Sequence, residues 1–380
     1  MTMRTTMLAL GAMLALTTSG LAIETKAGQA LLVDHASGTT LFAKDADKLV
    51  PPASLAKLMT IEIVFDMLER GRLKPDELVR ISENAWRTGG GQSGGSAMFL
   101  EVRSQVPVED LLNGIVIQSG NDASIALAEH IAGTEDAFAQ LMNERARKIG
   151  LTNSTFRNST GLPHPEQNVT MRDMVTLAEH IYTTYPERYD LFAREAFEWN
   201  GIRQRNRNPL LDENLGADGL KTGHTQASGY ALVASAVPDD DRLFLAVSGL
   251  SSAAEREREA VALLRWGSRS FERRRLFGED EPVGEARVYG GSQRSVPLVA
   301  RGGVEIFLPL TERNELRARV VYEGPVEAPI AKGQRIGVLR VTKGDEVTQE
   351  TPLYAGTDIA VGPLHLRALD AAQEALAFWR

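Results

Sequence analysis

The sequence predicts an α+β fold: one antiparallel five-stranded sheet flanked by helices, followed by a small all-β unit and a terminal helix. Three observations predict it. Two short apolar strands stand at the front of the first 277 residues and three at the back, with helical periodicity between them. After a charged linker, Gly278 to Gly284, short alternating runs separated by glycine and proline take over. An amphipathic helical pattern closes the chain.

The elements follow in order. Gln29 to Asp34 reads as a strand, Ser37-Gly38 as a turn, and Thr39 to Phe42 as the returning strand. Pro51-Pro52 breaks the chain. Leu58, Ile61, Val64 and Leu68 then recur at helical spacing, and Gly71 stands where a C-terminal cap belongs. Gly89 to Gly95 is a glycine-rich loop, without the lysine and helix start of a phosphate cradle. Val108 to Ile117 and Ala123 to Ala132 read as helices around a polar break. Gly219 to Gly223, Gly229 to Val237 and Arg242 to Gly249 read as strands, and Ala253 to Phe271 as a long helix. Arg273 to Arg275 is the densest basic cluster and reads as a solvated helix end.

In the second unit, spanning 284–361, strands are expected at Ala286 to Tyr289, Val304 to Leu308, Arg317 to Tyr322 and Arg335 to Val341. In the closing segment, 362–380, Leu366, Leu369, Ala372, Leu376 and Trp379 share one face. Arg367, Asp370 and Glu374 share the other. That pattern fits equally a helix in a membrane interface and a helix docked on its own protein.

Composition excludes several functions. The net charge is −8, which is wrong for a nucleic-acid partner. There are no cysteines, hence no disulfide, thiolate metal site or cysteine nucleophile. No His/Glu spacing of a metal site occurs, so no metal or cofactor is expected. Residues 1–22 have the three parts of an export signal: Arg4, the apolar run Met7 to Leu16, and Gly20-Leu21-Ala22. Cleavage after Ala22 and export to the periplasm are the expectation.

Three motifs carry chemistry. Ser54 and Lys57 are three residues apart at a helix start, so both side chains project from one face. A lysine with a lowered pKa can take the serine proton, and burial or a second cation lowers it. Alone this pattern is weak, for Ser54 also reads as a helix cap. Ser119-Gly120-Asn121 lies in the break between two helices. Its hydroxyl can relay a proton, and its amide can both donate to and accept from a peptide. Lys221-Thr222-Gly223 lies on a strand. Lys221 can supply the second cation, Thr222 can bind a carboxylate, and Gly223 permits close approach. A strand beside the substrate can also add backbone hydrogen bonds. His224 adjoins this motif, whereas His164, between two prolines, reads as a loop residue.

Each motif occurs once, in the order known for penicillin-recognising serine enzymes. With the flanks Pro52-Ala53-Ser54, Gln118 to Asp122, Gly219 to His224, Asn200 to Gln204 and Asn206-Arg207-Asn208, the chain resembles the low-molecular-mass penicillin-binding proteins. These are serine-type D-alanyl-D-alanine carboxypeptidases with a penicillin-binding/β-lactamase-like transpeptidase domain. The likeness runs from about residue 24 to the C-terminus.

The resemblance implies the following roles. Ser54 takes the acyl group of a peptidoglycan stem pentapeptide ending in D-Ala-D-Ala, and β-lactams inhibit covalently. Lys57 is the base, Ser119 and Lys221 carry protons, and Asn121 holds the substrate amide. Thr222, with Arg207, holds the terminal carboxylate. Backbone N–H groups of Ser54 and His224 form the oxyanion hole. The terminal helix, residues 363–380, would touch the outer face of the inner membrane. Cell wall biogenesis and cell shape are the implied processes.

The rivals are a serine β-lactamase, a non-catalytic wall-binding protein with a decayed site, against which stands the presence of all the proposed reactive residues, and a D-Ala cross-link endopeptidase. Against the first, the second motif is Ser-Gly-Asn rather than Ser-Asp-Asn, and Glu166-Gln167-Asn168 has the wrong spacing for a deacylating glutamate. The endopeptidase uses the same chemistry and stays open.

Overall fold

The computed structural model describes residues 23–310 and 316–377. The expected export signal, residues 1–22, lies outside the described residues.

The fold is the α+β architecture read from the sequence. Five strands form one antiparallel sheet in the order Thr40–Lys44, Gln29–Asp34, Leu243–Leu250, Gly229–Ala236, Ala217–Thr225. Gln29–Asp34 is buried throughout because the sheet is covered on both faces. Side chains alternate between those faces. Leu31 and Val33 join the core made with the Lys57–Glu69 and Met171–Thr184 helices. Ala30 and Leu32 join Ala260, Leu263 and Leu264 of the Ala253–Arg269 helix.

Helix starts are set by side-chain caps. Thr134 accepts from Ala137 N, Thr170 from Asp173 N and Ser252 from Glu255 N. Glu255 reaches back to Ser251 N, which completes a capping box one residue early.

The β-rich unit holds a six-stranded sheet in the order Leu316–Tyr322, Arg335–Lys343, Glu346–Ala355, Ser295–Val299, Pro282–Tyr289, Val326–Glu327. Its core is built on Val288, Leu298, Leu339 and Leu353. Ser295–Val299 and Glu346–Ala355 escape a sequence reading because Pro297 and Pro352 sit inside them, where proline signals a break.

Two local readings are corrected. Arg273 to Arg275 is no helix end: the helix stops at Arg269, and Phe271–Phe277 is a strand paired with Val304–Pro309. It is paired along its backbone, Phe271 and Phe277 pack on the two cores, and its exposed positions carry charge rather than an apolar alternation. Arg273 pairs with Asp241 and Glu305, and Arg275 with Glu305. In the Leu364–Ala377 helix, Asp370 was expected on the solvent face. It is buried and accepts from Gly290 N at 2.8 Å, while Leu364 and Leu369 are exposed. A backbone N–H in need of an acceptor decides which side of the helix turns inward.

Candidate active site

The Ala53–Ala56 turn is a 3-10 helix that runs directly into the Lys57–Glu69 helix. Ala53 has φ 47°, so the turn is strained immediately before Ser54. Lys57 is fully buried and donates to three oxygens. They are Ser54 Oγ at 3.2 Å, Asn121 Oδ1 at 2.7 Å and the Thr160 carbonyl at 2.6 Å.

Burial pushes the Lys57 ammonium down to about 7, helped by the Arg207 guanidinium and opposed by Asp122 and Glu135. Lys221 was expected to supply the depressing charge. It is buried and is itself held well below the ordinary lysine range, by burial first and then by Lys57, Arg207 and Arg256. The cations that bear on Lys57 are therefore Arg207 and, through their mutual repulsion, Lys221. Lys221 donates to the Thr222 carbonyl at 3.1 Å.

Ser119 ends the Gly114–Gln118 turn in the left-handed conformation, φ 64°. That turns its hydroxyl out of the helix line. Ser119 Oγ is buried and has no hydrogen-bond partner among the described residues. Asn121 opens the next helix, and its backbone N–H donates to the Ser96 carbonyl. Asp122 holds the facing loop by accepting from Met98 N and Leu100 N.

The edge strand Ala217–Thr225 carries the third motif. A side chain at Gly223 would crowd Ala53, Leu55 and the Pro52 carbonyl, so glycine lets this strand lie against the Ser54 turn without displacing it. His224 stacks on Tyr230 with ring centroids 4.0 Å apart.

A cleft of about 590 Å³ opens above these groups. Ser54, Ser119, Asn121, Arg207, Thr222, Gly223 and His224 all line it, while Lys57 and Lys221 lie buried beneath. The structure thus brings together every residue singled out from the sequence. Arg207 is held at the rim by bonds to Ser96 Oγ and Gln118 Oε1. His164 and Glu166 do not line the cleft, and Glu166 pairs instead with Arg157.

Sequence reasoning missed three contributors. The Thr160 carbonyl accepts from Lys57, Ser96 anchors Arg207, and Arg256 lines the cleft with its Nε unpartnered. Two of the three act through folding contacts that no local pattern encodes. For Thr160, the turn residues Asn158 to Gly161 were the only signal available.

A serine against a buried lysine, a second serine and a lysine-bearing edge strand define an acyl-transferring serine enzyme of the penicillin-recognising class. The profile of the D-alanyl-D-alanine carboxypeptidase peptidase family matches residues 16–252, and that of the penicillin-binding protein 5 C-terminal domain matches residues 271–361. The chain is 38% identical to D-alanyl-D-alanine carboxypeptidase DacC of Escherichia coli over 343 residues, covering 90% of this chain and 86% of that one. It is 39% identical to DacA of Haemophilus influenzae over 310 residues, 81% and 78% of the two chains. Crystal structures of penicillin binding protein 5 from Haemophilus influenzae superpose with a TM-score of 0.75 at 37% identity, covering 90% of this chain and 99% of theirs. The chain belongs to the serine-type D-alanyl-D-alanine carboxypeptidase family.

Proposed function

We propose that the enzyme removes the terminal D-alanine from peptidoglycan stem pentapeptides through an ester on Ser54. Ser54 Oγ attacks the carbonyl of the penultimate D-alanine as Lys57 Nζ takes its proton. The C–N bond breaks, and a proton passed through Ser119 goes to the departing D-alanine amine. Water then attacks the ester, returns Ser54 and releases the shortened peptide. Asn121 holds the substrate amide. Thr222, Arg207 and the Gly223-His224 backbone receive the terminal carboxylate and the oxyanion.

One observation carries this reading: a fully buried lysine, its pKa lowered to about 7, donates to Ser54 Oγ at 3.2 Å. Near neutral pH such a group is neutral often enough to accept a proton and then return it. The exposed position of Glu166, away from the cleft, speaks against deacylation in the manner of a class A β-lactamase.

The experiment is to incubate the protein with labelled penicillin and follow the adduct by mass, beside Ser54→Ala. A stable adduct missing from the variant is expected. Absence of any adduct on the unaltered protein sinks the assignment, and rapid adduct turnover points to a β-lactamase. Release of free D-alanine, against release of cross-linked fragments, separates carboxypeptidase from endopeptidase.

Such a substrate lies outside the cytoplasmic membrane, which agrees with the export pattern of residues 1–22 and a periplasmic site of action in wall biogenesis. We also divide the chain into a catalytic domain, 23–277, a β-rich domain, 284–361, and a closing helix, 362–380. Exposed Leu364 and Leu369 support peripheral contact of that helix with a membrane face. No helix among the described residues is long and apolar enough to cross a membrane.

A further inference from the structure

The proposed base is gripped from a side that none of the three motifs includes. Residues Asn158 to Gly161 form a strap across the start of the catalytic helix. Two consecutive carbonyls of the strap accept from that helix: Ser159 O from Thr60 Oγ1 at 2.8 Å, and Thr160 O from Lys57 Nζ at 2.6 Å. Lys57 and Thr60 are three residues apart, so both reach the strap from one helix face. Next to Thr160, Gly161 has φ +82° and lies where any side chain would overlap the Ala53 carbonyl.

The strap is tied at two points. Asn158 Oδ1 accepts from Thr160 N, Thr160 Oγ1 and Gly161 N, which fixes its internal turn. Glu135, the first residue of the Glu135–Ile149 helix, fixes its place in the protein. Glu135 Oε1 accepts from Ser159 Oγ at 2.6 Å and from Ser159 N at 3.3 Å. Ser159 is fully buried, so this carboxylate is a charge-assisted anchor to the interior.

We propose that Glu135 is a positioning residue for the reaction: through Ser159 it fixes the Thr160 carbonyl and so aims Lys57 at Ser54. This rests on the reading of Lys57 as the base. The geometry makes Glu135 more than a structural tie, because it sets the place of one of the three acceptors around the reacting amine. It also brings a negative charge toward that amine. The charged groups bearing on Lys57 are Arg207 at the cleft rim, Lys221 on the edge strand, Asp122 on the Asn121–Ala132 helix, and Glu135. Glu135 is the one carboxylate of these that is also bonded to the strap. Its charge favours the protonated amine and offsets part of the effect of burial and Arg207.

The test is the pH profile of kcat/KM for D-alanine release, measured on the full chain and on Glu135→Gln, Glu135→Ala and Ser159→Ala. The unaltered enzyme should show an acid limb near the Lys57 value. Glu135→Gln keeps an acceptor for Ser159 and loses the charge, so its limb should move to lower pH by about half a unit. Glu135→Ala should move the limb likewise and lower the plateau by about tenfold, through misplacement of Lys57. Ser159→Ala should lower the plateau and leave the limb in place. Melting curves of all the variants accompany the rates.

A Glu135→Gln limb superimposed on that of the unaltered enzyme overturns the proposal. So does a Glu135→Ala loss that follows thermal stability alone and leaves the limb where it was. Absence of an acid limb from the unaltered enzyme fails at an earlier step: it removes Lys57 as the base, and the positioning role falls with it.

Discussion

Lys57, the proposed base, shows how burial can give one residue a function its side chain lacks in water. A solvated lysine is protonated at neutral pH and cannot serve as a base. Full burial, with Arg207 adding to it, brings the ammonium down to about 7. A base works in its neutral form, so the rate rises with pH through this value. Acylation by penicillin should lose about tenfold for each pH unit below it. A guanidinium stays protonated under the same conditions, so Lys57→Arg should slow acylation by at least about 100-fold at every pH. Stopped-flow acylation across a pH series checks both. The sequence showed which residues would meet, since Ser54, Ser119, Asn121 and Lys221 to His224 each stand in a short local pattern. It did not show which cation would act on Lys57. That depends on depth and distance, and Arg207, placed by bonds to Ser96 and Gln118, acts on Lys57 beside Lys221.

At the scale of the element, the helix behind the proposed nucleophile is held by a polar knot. Glu62, fully buried on the Lys57–Glu69 helix, accepts from Arg145 through two nitrogens, from Tyr185 and from His180. Burial pushes its carboxyl up, but the bonds from His180, Arg145 and Tyr185 outweigh that and hold it below the ordinary glutamate range. A depressed carboxylate adds stability above its unfolded pKa and loses it as pH falls through the folded value. Glu62→Ala leaves Arg145 with Asp66 as its remaining carboxylate and removes the acceptor for Tyr185 and His180. It should cost about 3 kcal/mol, or roughly 8 °C in Tm, with the penicillin adduct still formed below the melting range. Calorimetry at neutral pH measures the loss, and the difference between variant and unaltered protein should shrink in acid. The central strands and the helices at Lys57–Glu69, Asn121–Ala132 and Ala253–Arg269 were legible from apolar spacing, whereas the Glu135–Ile149 and Met171–Thr184 helices were not read. Nor was the Phe271–Phe277 strand, because its run of arginines breaks the apolar alternation and its pairing partner, Val304–Pro309, lies about 30 positions on.

Over the whole molecule, the catalytic sheet and the β-rich unit meet along a polar seam. Thr39 Oγ1 donates to Gln349 Oε1 at 2.9 Å, and Gln349 Nε2 donates to the Glu305 carbonyl at 2.9 Å. Arg273 joins Asp241 to Glu305 and comes within 4.0 Å of the buried Asp34 Oδ1. Gln349→Ala combined with Arg273→Ala should loosen this seam. Limited proteolysis should then cut faster near the exposed Glu279-Asp280 turn, while hydrolysis of a small soluble peptide is unaffected. Equal cleavage of both proteins would assign the joint to the apolar contacts of Phe307 and Phe271 instead. The sequence placed a composition change near this joint. It did not foretell the seam, whose partners lie up to 310 positions apart.

The contact between Gly161 and the Ala53 carbonyl bears on how the enzyme can change under antibiotic pressure. Escape from a covalent inhibitor commonly requires the walls of the cleft to be rebuilt. At Gly161 that route is closed, because even a methyl group displaces the turn that presents Ser54. One position on, Leu162 lines the same cleft with its side chain partly in solvent, and there substitution meets no such barrier. Resistance variants that keep the enzyme working should accumulate at Leu162 and be absent at Gly161.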